Sequence, residues 1–286
     1  MHLDPAKVAA QRRAFRALHD GPPLFIIPNG WDVVTSRMFE DAGFPAVATS
    51  SAAVANALGY PDGNALDVDL HLAAIERIVR ALDVPVSADV ESGYSDDTAA
   101  LTAFITRLAA TGIAGYNLED VKGEGELYPL DEAVARVRAA RAAAPDVFLN
   151  ARTDVYLMGI GPAETRLERT LERLDAFADA GADGVFVPGV MDAETIGKLA
   201  AAAARPLNVL AGPKTQDRGA LQALGVRRVS VGSGPMRRTL GVLREIADEL
   251  RDAGTFSYTR EPSVPYAELN ALMRASTSAG SAPRSP

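Results

Sequence analysis

The stretch Pro85-Val86-Ser87-Ala88-Asp89-Val90-Glu91-Ser92-Gly93-Tyr94 decides how this chain is read. A short apolar run, Val84 to Val90, ends in two carboxylates two residues apart, then a glycine and a tyrosine. In an extended strand that spacing places Asp89 and Glu91 on one face. Neighbouring acids repel, so the pair is favourable only with a cation between them or with one acid kept protonated by a raised pKa. A second acidic strand end, Tyr116-Asn117-Leu118-Glu119-Asp120, follows one helix length later. A lone acid at a strand end commonly caps the next helix or sits in solvent. Several acids converging from neighbouring strands instead read as a hard-cation site.

Outward from this stretch the chain alternates. An amphipathic helix is predicted over 5–20, then a strand at Leu24–Ile27 ending in Pro28-Asn29-Gly30-Trp31-Asp32. Helix Val33–Ala42 leads to strand Ala46–Thr49 and Ser50-Ser51, and a loop containing Gly59-Tyr60-Pro61-Asp62-Gly63 precedes helix Asp69–Leu82. Past the acidic strand 84–90, strands are predicted at Ala114–Leu118, Val147–Asn150, Gly184–Val187, Leu207–Leu210 and Arg228–Val231. Helices Asp97–Thr111, Asp131–Ala144, Ala163–Ala180, Asp192–Ala203, Gln216–Leu224 and Met236–Ala253 alternate with them. Eight such strands require an α/β fold of the (β/α)8 TIM barrel type. A doubly wound open sheet is the alternative, but no glycine-rich fingerprint follows the first strand.

Composition bounds the function. With 286 residues, 48% hydrophobic and 23% charged, the chain can bury a large core as a soluble protein. Its net charge of −8 argues against a nucleic-acid surface. No apolar run reaches the ~18 residues that span a bilayer, and the start lacks the apolar core of a signal peptide, so a cytoplasmic location is expected. The absence of cysteine removes disulfides, thiolate metal sites and thiol chemistry. His2, His19 and His71 fall away from strand ends, leaving zinc, copper and non-haem iron without nitrogen ligands. An oxygen-only site suits Mg²⁺ or Mn²⁺.

Barrel active sites lie at the carboxyl ends of the strands. There the sequence places Asn29, Trp31 and Asp32; Ser50 and Ser51; Asp89, Glu91 and Tyr94; Glu119 and Asp120; Asn150, Arg152 and Asp154; Asn208; and Ser230 and Ser233. Arg152 is the strong cation of this ring, able to grip a substrate carboxylate or phosphoryl group bidentately. On residue types alone, a salt bridge to Asp154 or Glu119 is an equal reading.

PVSADVESGY, GYNLED and NARTD, with PNGWD and ATSSAAVANALGYPDG upstream, together resemble the isocitrate lyase and phosphoenolpyruvate mutase superfamily across residues 20–275. The resemblance implies a Mg²⁺-dependent barrel that makes or breaks C–C or P–C bonds of 2-oxo or 2-hydroxy carboxylates through an enolate-like intermediate. By the same resemblance, Asp89 ligates Mg²⁺ while Glu91 and Glu119 hold its waters. Ser50 and Ser51 receive a substrate carboxylate, with Asn208 among the binding residues. Arg152 binds the substrate's other end, Trp31 contacts the oxo-acid moiety, and Asp62 sits on a mobile gating loop. Tyr94 or a metal-bound water protonates the enolate.

Two departures narrow the expected chemistry. The superfamily's lyases carry a Lys-Arg/Lys-Cys-Gly-His run where this chain has Val121-Lys122-Gly123-Glu124-Gly125-Glu126, and its mutases a histidine where Pro188 stands. The expectation is therefore Mg²⁺-assisted decarboxylation or C–C cleavage of an oxaloacetate-like acid. P–C bond chemistry and a non-catalytic ligand-binding barrel are the alternatives. Residues 1–254 are read as the barrel, 255–274 as a C-terminal helix with Tyr266, Leu269, Leu272 and Met273 on one face, and 275–286 as a disordered tail. The superfamily exchanges a C-terminal helix between subunits, so the resemblance implies a homo-oligomer, dimer or tetramer.

Overall fold

The computed structural model of the chain describes residues 3–123 and 125–274. Strands β1 (Phe25–Ile27), β2 (Asn29–Gly30), β3 (Val47–Thr49), β4 (Val86–Asp89), β5 (Gly115–Glu119), β6 (Phe148–Arg152), β7 (Gly184–Val187), β8 (Leu207–Leu210) and β9 (Arg228–Ser230) form one parallel sheet, ordered β1-β9-β8-β7-β6-β5-β4-β3-β2. Around it run α1 (Pro5–Ala17), α2 (Val33–Asp41), α3 (Ser51–Ala57), α4 (Val68–Ala81), α5 (Thr98–Ala110), α6 (Leu130–Ala143), α7 (Arg166–Asp179), α8 (Ala193–Ala202), α9 (Arg218–Ala223), α10 (Gly234–Asp248) and α11 (Tyr266–Arg274). This is the expected (β/α)8 barrel.

The ninth strand comes from a proline. Pro28 lacks an N–H and divides the first barrel strand, so that β1 pairs with β9 while β2 pairs with β3. The Pro28 carbonyl still accepts from the Ala48 amide at 2.8 Å. Asn29 clasps the seam with its side chain. Its Nδ2 donates to the Thr49 carbonyl at 2.7 Å, and its Oδ1 accepts from the amides of Val231 and Gly232, both at 2.9 Å.

Helix α1 closes the amino end of the barrel. Phe15 meets Phe25 and Phe148, the first residues of β1 and β6, edge to face. Gly115 makes the room: a Cβ there would stand 2.5 Å from the Phe15 ring. The site is thereby left to the opposite, carboxyl end.

Helix α3 lies where the sequence pattern gives no element. It is an alanine-rich helix of about two turns capped by Ser50, too short to show a periodic face. At the other end of the chain, Met236 is the one buried residue of α10, while Leu240, Leu243 and Leu250 are exposed. The apolar stripe expected on 266–273 is narrower than the sequence suggests. Tyr266 is 86% exposed, whereas Leu269, Leu272 and Met273 are partly buried. In this single chain α11 lies on its own α2, where buried Arg37 donates to the carbonyls of Leu272 and Ala81. The tail assigned to 275–286 lies outside the described residues. Among the described residues no helix is long and apolar enough to cross a membrane.

His19, just past α1, stacks on Phe148 at 3.9 Å with its Nδ1 2.9 Å from the Phe15 carbonyl oxygen. Burial, seconded by Arg228, pushes its pKa from 6.5 down to about 3. A native pKa below the unfolded one gives stability that is present above pH 6.5 and lost as pH falls toward 3. Replacing His19 with phenylalanine should therefore flatten the acid limb: the urea midpoint should drop less between pH 6.5 and 4 than in the wild type. Equal drops in both proteins would contradict this account.

Candidate active site at the carboxyl ends of the strands

Asp89 ends β4 and is held from two sides. Its Oδ2 accepts from the Ser51 amide at 3.1 Å and the Ser51 hydroxyl at 2.8 Å, and its own amide donates to Thr49 Oγ1 at 3.0 Å. Its Oδ1 accepts from Asn117 Nδ2 at 3.3 Å. The Asn117 oxygen meanwhile accepts from Asn150 at 2.8 Å and from Arg228 Nη2 at 3.3 Å. Those donors fix which way the Asn117 amide points.

Asp89 and Glu91 do not share a strand face, contrary to the spacing argument. Strand β4 stops at Asp89, and Glu91 enters the left-handed region at φ 51°. Gly93 at 88° and Tyr94 at 60° continue the turn. Glu91 consequently faces the loop between α3 and α4, where it accepts from the Asn64 amide and, at 3.3 Å, from the Tyr94 hydroxyl. Burial pushes the Glu91 pKa up to about 7; the Asn64 hydrogen bond opposes this, and Asp62 and Asp89 add to it. Burial, then Glu91 and Asp89, raise the Tyr94 phenol well above its usual range. The Tyr94 ring packs edge to face against His71 and Phe104.

Arg152, closing β6, satisfies both ion-pair readings. Its Nε and Nη2 each lie 2.6 Å from the Asp154 carboxylate, and its Nη1 lies 2.8 Å from Glu119 and 4.0 Å from Asp89. Burial alone would lower the guanidinium's pKa, but Glu119 and Asp154 more than offset it. Glu119 shifts upward: burial is the main cause, Arg152 opposes it, and Asp154, Asp89 and Glu91 add like charge. Behind this group Asp120 accepts from Arg173 Nη1 at 2.9 Å and from the Asp154 amide at 3.0 Å, which seats Asp154 against Arg152.

The other expected residues divide. Trp31 packs with Tyr60 and Tyr94 around Val54, Ala55 and Leu66 at the mouth. Asp62 is exposed on its loop, and its pKa is raised by partial desolvation first and, against the Gly63 amide and Arg152, by Asp89 and Asp154. Ser50 caps α3 through the Ala53 amide at 3.4 Å. Asn208 lies deeper, buried in β8, with its Nδ2 3.0 Å from Ser230 Oγ. Asn117 and Asn64 escape the sequence reading. The former was legible as a polar residue in register with Asp89 and Asn150; the latter carries no signal beyond following Gly63.

Does this arrangement fit a divalent cation? Among the described residues no three acidic or histidine side chains gather closely enough to hold a metal ion. Mg²⁺ does not need that, since it commonly keeps several waters and takes few protein carboxylates. Acids whose proton affinities are raised by burial first, and further by neighbouring carboxylates, mark a site short of positive charge. The donor set fits.

A closed parallel barrel with acids and one arginine at its carboxyl end defines an enzyme of the isocitrate lyase and phosphoenolpyruvate mutase type. The sequence profile of the phosphoenolpyruvate phosphomutase family matches residues 15–251, and the chain belongs to that family. An uncharacterised protein of Mycobacterium tuberculosis is 35% identical over 260 residues, covering 91% of this chain and 96% of its own. Oxaloacetate decarboxylase of Pseudomonas fluorescens is 30% identical, covering 79% of this chain and 80% of its own. A crystal structure from Burkholderia cenocepacia, provisionally assigned as a lyase or mutase, superposes with a TM-score of 0.86 at 39% identity, covering 93% of this chain and 96% of its own. The oxaloacetate decarboxylase relative supports lyase chemistry as the activity class of this enzyme.

Asn64 ties the 59–65 loop to the acidic turn, its amide on Glu91 and its Nδ2 3.1 Å from Ser92 Oγ, while itself at φ 60°. An Asn64→Ala variant loses the side-chain bond and the residue type that tolerates this conformation, a penalty of about 1 kcal/mol. Hydrogen exchange across 59–66 should accelerate several-fold with the melting temperature nearly unchanged; wild-type exchange there would mean the loop is anchored elsewhere.

Proposed function

We propose that this chain catalyses metal-assisted decarboxylation or C–C cleavage of a small 2-oxo carboxylate resembling oxaloacetate. The observation that carries the reading is the crowding of Asp89, Glu91 and Glu119, two of them with raised proton affinity, opposite Arg152. Asp89 would hold Mg²⁺ directly, and Glu91 and Glu119 would hold its waters. When bound, the cation supplies Lewis acidity toward the oxygens of a 2-oxo acid.

The chain's own residues do the rest. Asp154 takes one edge of the Arg152 fork and Glu119 one further donor, so N–H groups remain for a substrate carboxylate. Ser51 orients Asp89, Ser50 lies beside it, and Trp31 walls the pocket on the loop side. The Tyr94 hydroxyl, which donates to Glu91 and is kept in its phenol form by burial, is the proposed proton source for the carbon left by bond cleavage. Asp62 closes over the mouth with its loop, excluding water. The 121–126 stretch without cysteine or histidine sets this chemistry apart from isocitrate cleavage. P–C bond chemistry is the second reading, favoured by the family profile itself.

Turnover of oxaloacetate and of phosphonopyruvate, each with and without EDTA, separates the readings. Oxaloacetate consumption abolished by EDTA is expected; consumption of phosphonopyruvate alone would favour the second reading, and of neither would sink both. Asp89→Ala should abolish turnover and the rise in melting temperature that Mg²⁺ produces by mass action. Unchanged Mg²⁺ affinity in that variant would remove Asp89 from the site.

The chain is also proposed to work as a homo-oligomer. Leu240 and Leu243 on α10, with Leu250 and Phe256 beyond it, leave apolar surface in water, with Leu243 57% exposed and Phe256 65% exposed. A Leu243→Glu variant and a chain ended after Gly254 should both sediment as smaller species than the full chain. Unchanged sedimentation of both would show that this surface has no partner of its own kind.

A further inference from the structure

We propose that Arg136, on α6, is a positioning residue for the candidate site: it clamps the 92–96 turn that aims Glu91 and Tyr94. The proposal rests on the reading of that turn as part of a divalent-cation site. The turn is a costly piece of backbone. Glu91 at φ 51° and Tyr94 at φ 60° are both side-chain-bearing residues in the left-handed region. Each is disfavoured there and persists only where the surroundings over-determine it. Other restraints are present: the Gly93 amide reaches the Val90 carbonyl at 2.9 Å, the Glu91 carbonyl accepts from the Glu119 amide at 3.0 Å, and Asn64 holds the Glu91 carboxylate and Ser92 Oγ.

The larger restraint comes from α6. Arg136 is 3% exposed, and its guanidinium donates to the carbonyls of Ser92, of Ser95 at 2.8 Å and of Asp96 at 3.1 Å. Its Cζ stands 4.3 Å from the centroid of the Tyr128 ring, and the Tyr128 hydroxyl donates to the Asp96 carboxylate. All three of the Arg136 bonds end on the five-residue segment Ser92–Asp96, which begins next to Glu91. A residue whose role was to join helices would spend its donors on helices. The planar fork can reach separated carbonyls at once; an ammonium, a point charge on a flexible stem, cannot reproduce this geometry.

The test compares Arg136→Met, Arg136→Lys and Tyr128→Phe with the wild type, by hydrogen exchange, Mg²⁺ calorimetry and melting temperature. In Arg136→Met the amides of 92–96 should exchange about tenfold faster, with β4 and β5 unchanged, and Mg²⁺ affinity should fall about tenfold. Arg136→Lys should recover part of both effects. Should Arg136→Met fail to fold, the lysine variant and Tyr128→Phe, which removes the phenol's bonds to Asp96 and Ser92, carry the same comparison, with smaller shifts in the same direction. Folded variants with wild-type exchange over 92–96 overturn the clamp, and so does wild-type Mg²⁺ affinity despite a loosened turn. A wild-type protein that binds no Mg²⁺ overturns the cation reading alone, and the exchange comparison then decides the role of Arg136.

Discussion

The site depends on an imbalance of buried charge around Arg152. One guanidinium meets Asp154 in two-point contact, Glu119 at 2.8 Å and Asp89 at 4.0 Å, and Glu91 adds a further carboxylate nearby. Taking ions out of water costs several kcal/mol each, and a partial complement of opposite charge recovers only part of it. The fold tolerates the deficit by fixing each acid from behind. Ser51, Thr49 and Asn117 hold Asp89, and Arg173 holds Asp120, which in turn seats Asp154. Under the proposed function, a cation and a carboxylate substrate would relieve the remaining excess of negative charge.

The barrel frame explains why so many acids can be brought together without a dedicated motif. Parallel strands in register carry equivalent positions to the same height: Asp89 pairs with Asn117, Asn117 with Asn150, and Glu119 with Arg152. Aromatic packing of α1 against the opposite end leaves the carboxyl ends as the face open to a ligand.

Much of the fold was legible because each strand is a compact apolar run followed by a helical pattern; in the structure Asp32, Asp67, Asp97, Asp192 and Asp217 cap those helices. Pro28 splitting the first strand was not, because the pairing partners on its two sides come from distant parts of the chain. Helix α3 hid in a run of alanines with no periodic face. At the site, the acids and Arg152 stood out by type and place, whereas the left-handed Glu91 could not be read from a strand-like spacing. Asn64 and Arg136 act on the site through backbone groups, and no spacing in the sequence announces such contacts. The apolar surface left in water was sought on the last helix, yet much of it lies on α10, which the barrel pattern had already counted as an ordinary outer helix.

The seam at Pro28 has a consequence in time. Residues 25–27 find their ladder partner only at 228–230, and the Asn29 clasp needs the amides of Val231 and Gly232. Closure is thus among the most non-local events in the chain, and non-local pairing is slow because the loop entropy is lost before the contact rewards it. During synthesis the first strand must wait, one edge unpaired, until nearly all of the barrel has left the ribosome. An open edge of this kind recruits other chains. The quickest route to aggregated material therefore lies in the interval before the ends of the barrel meet.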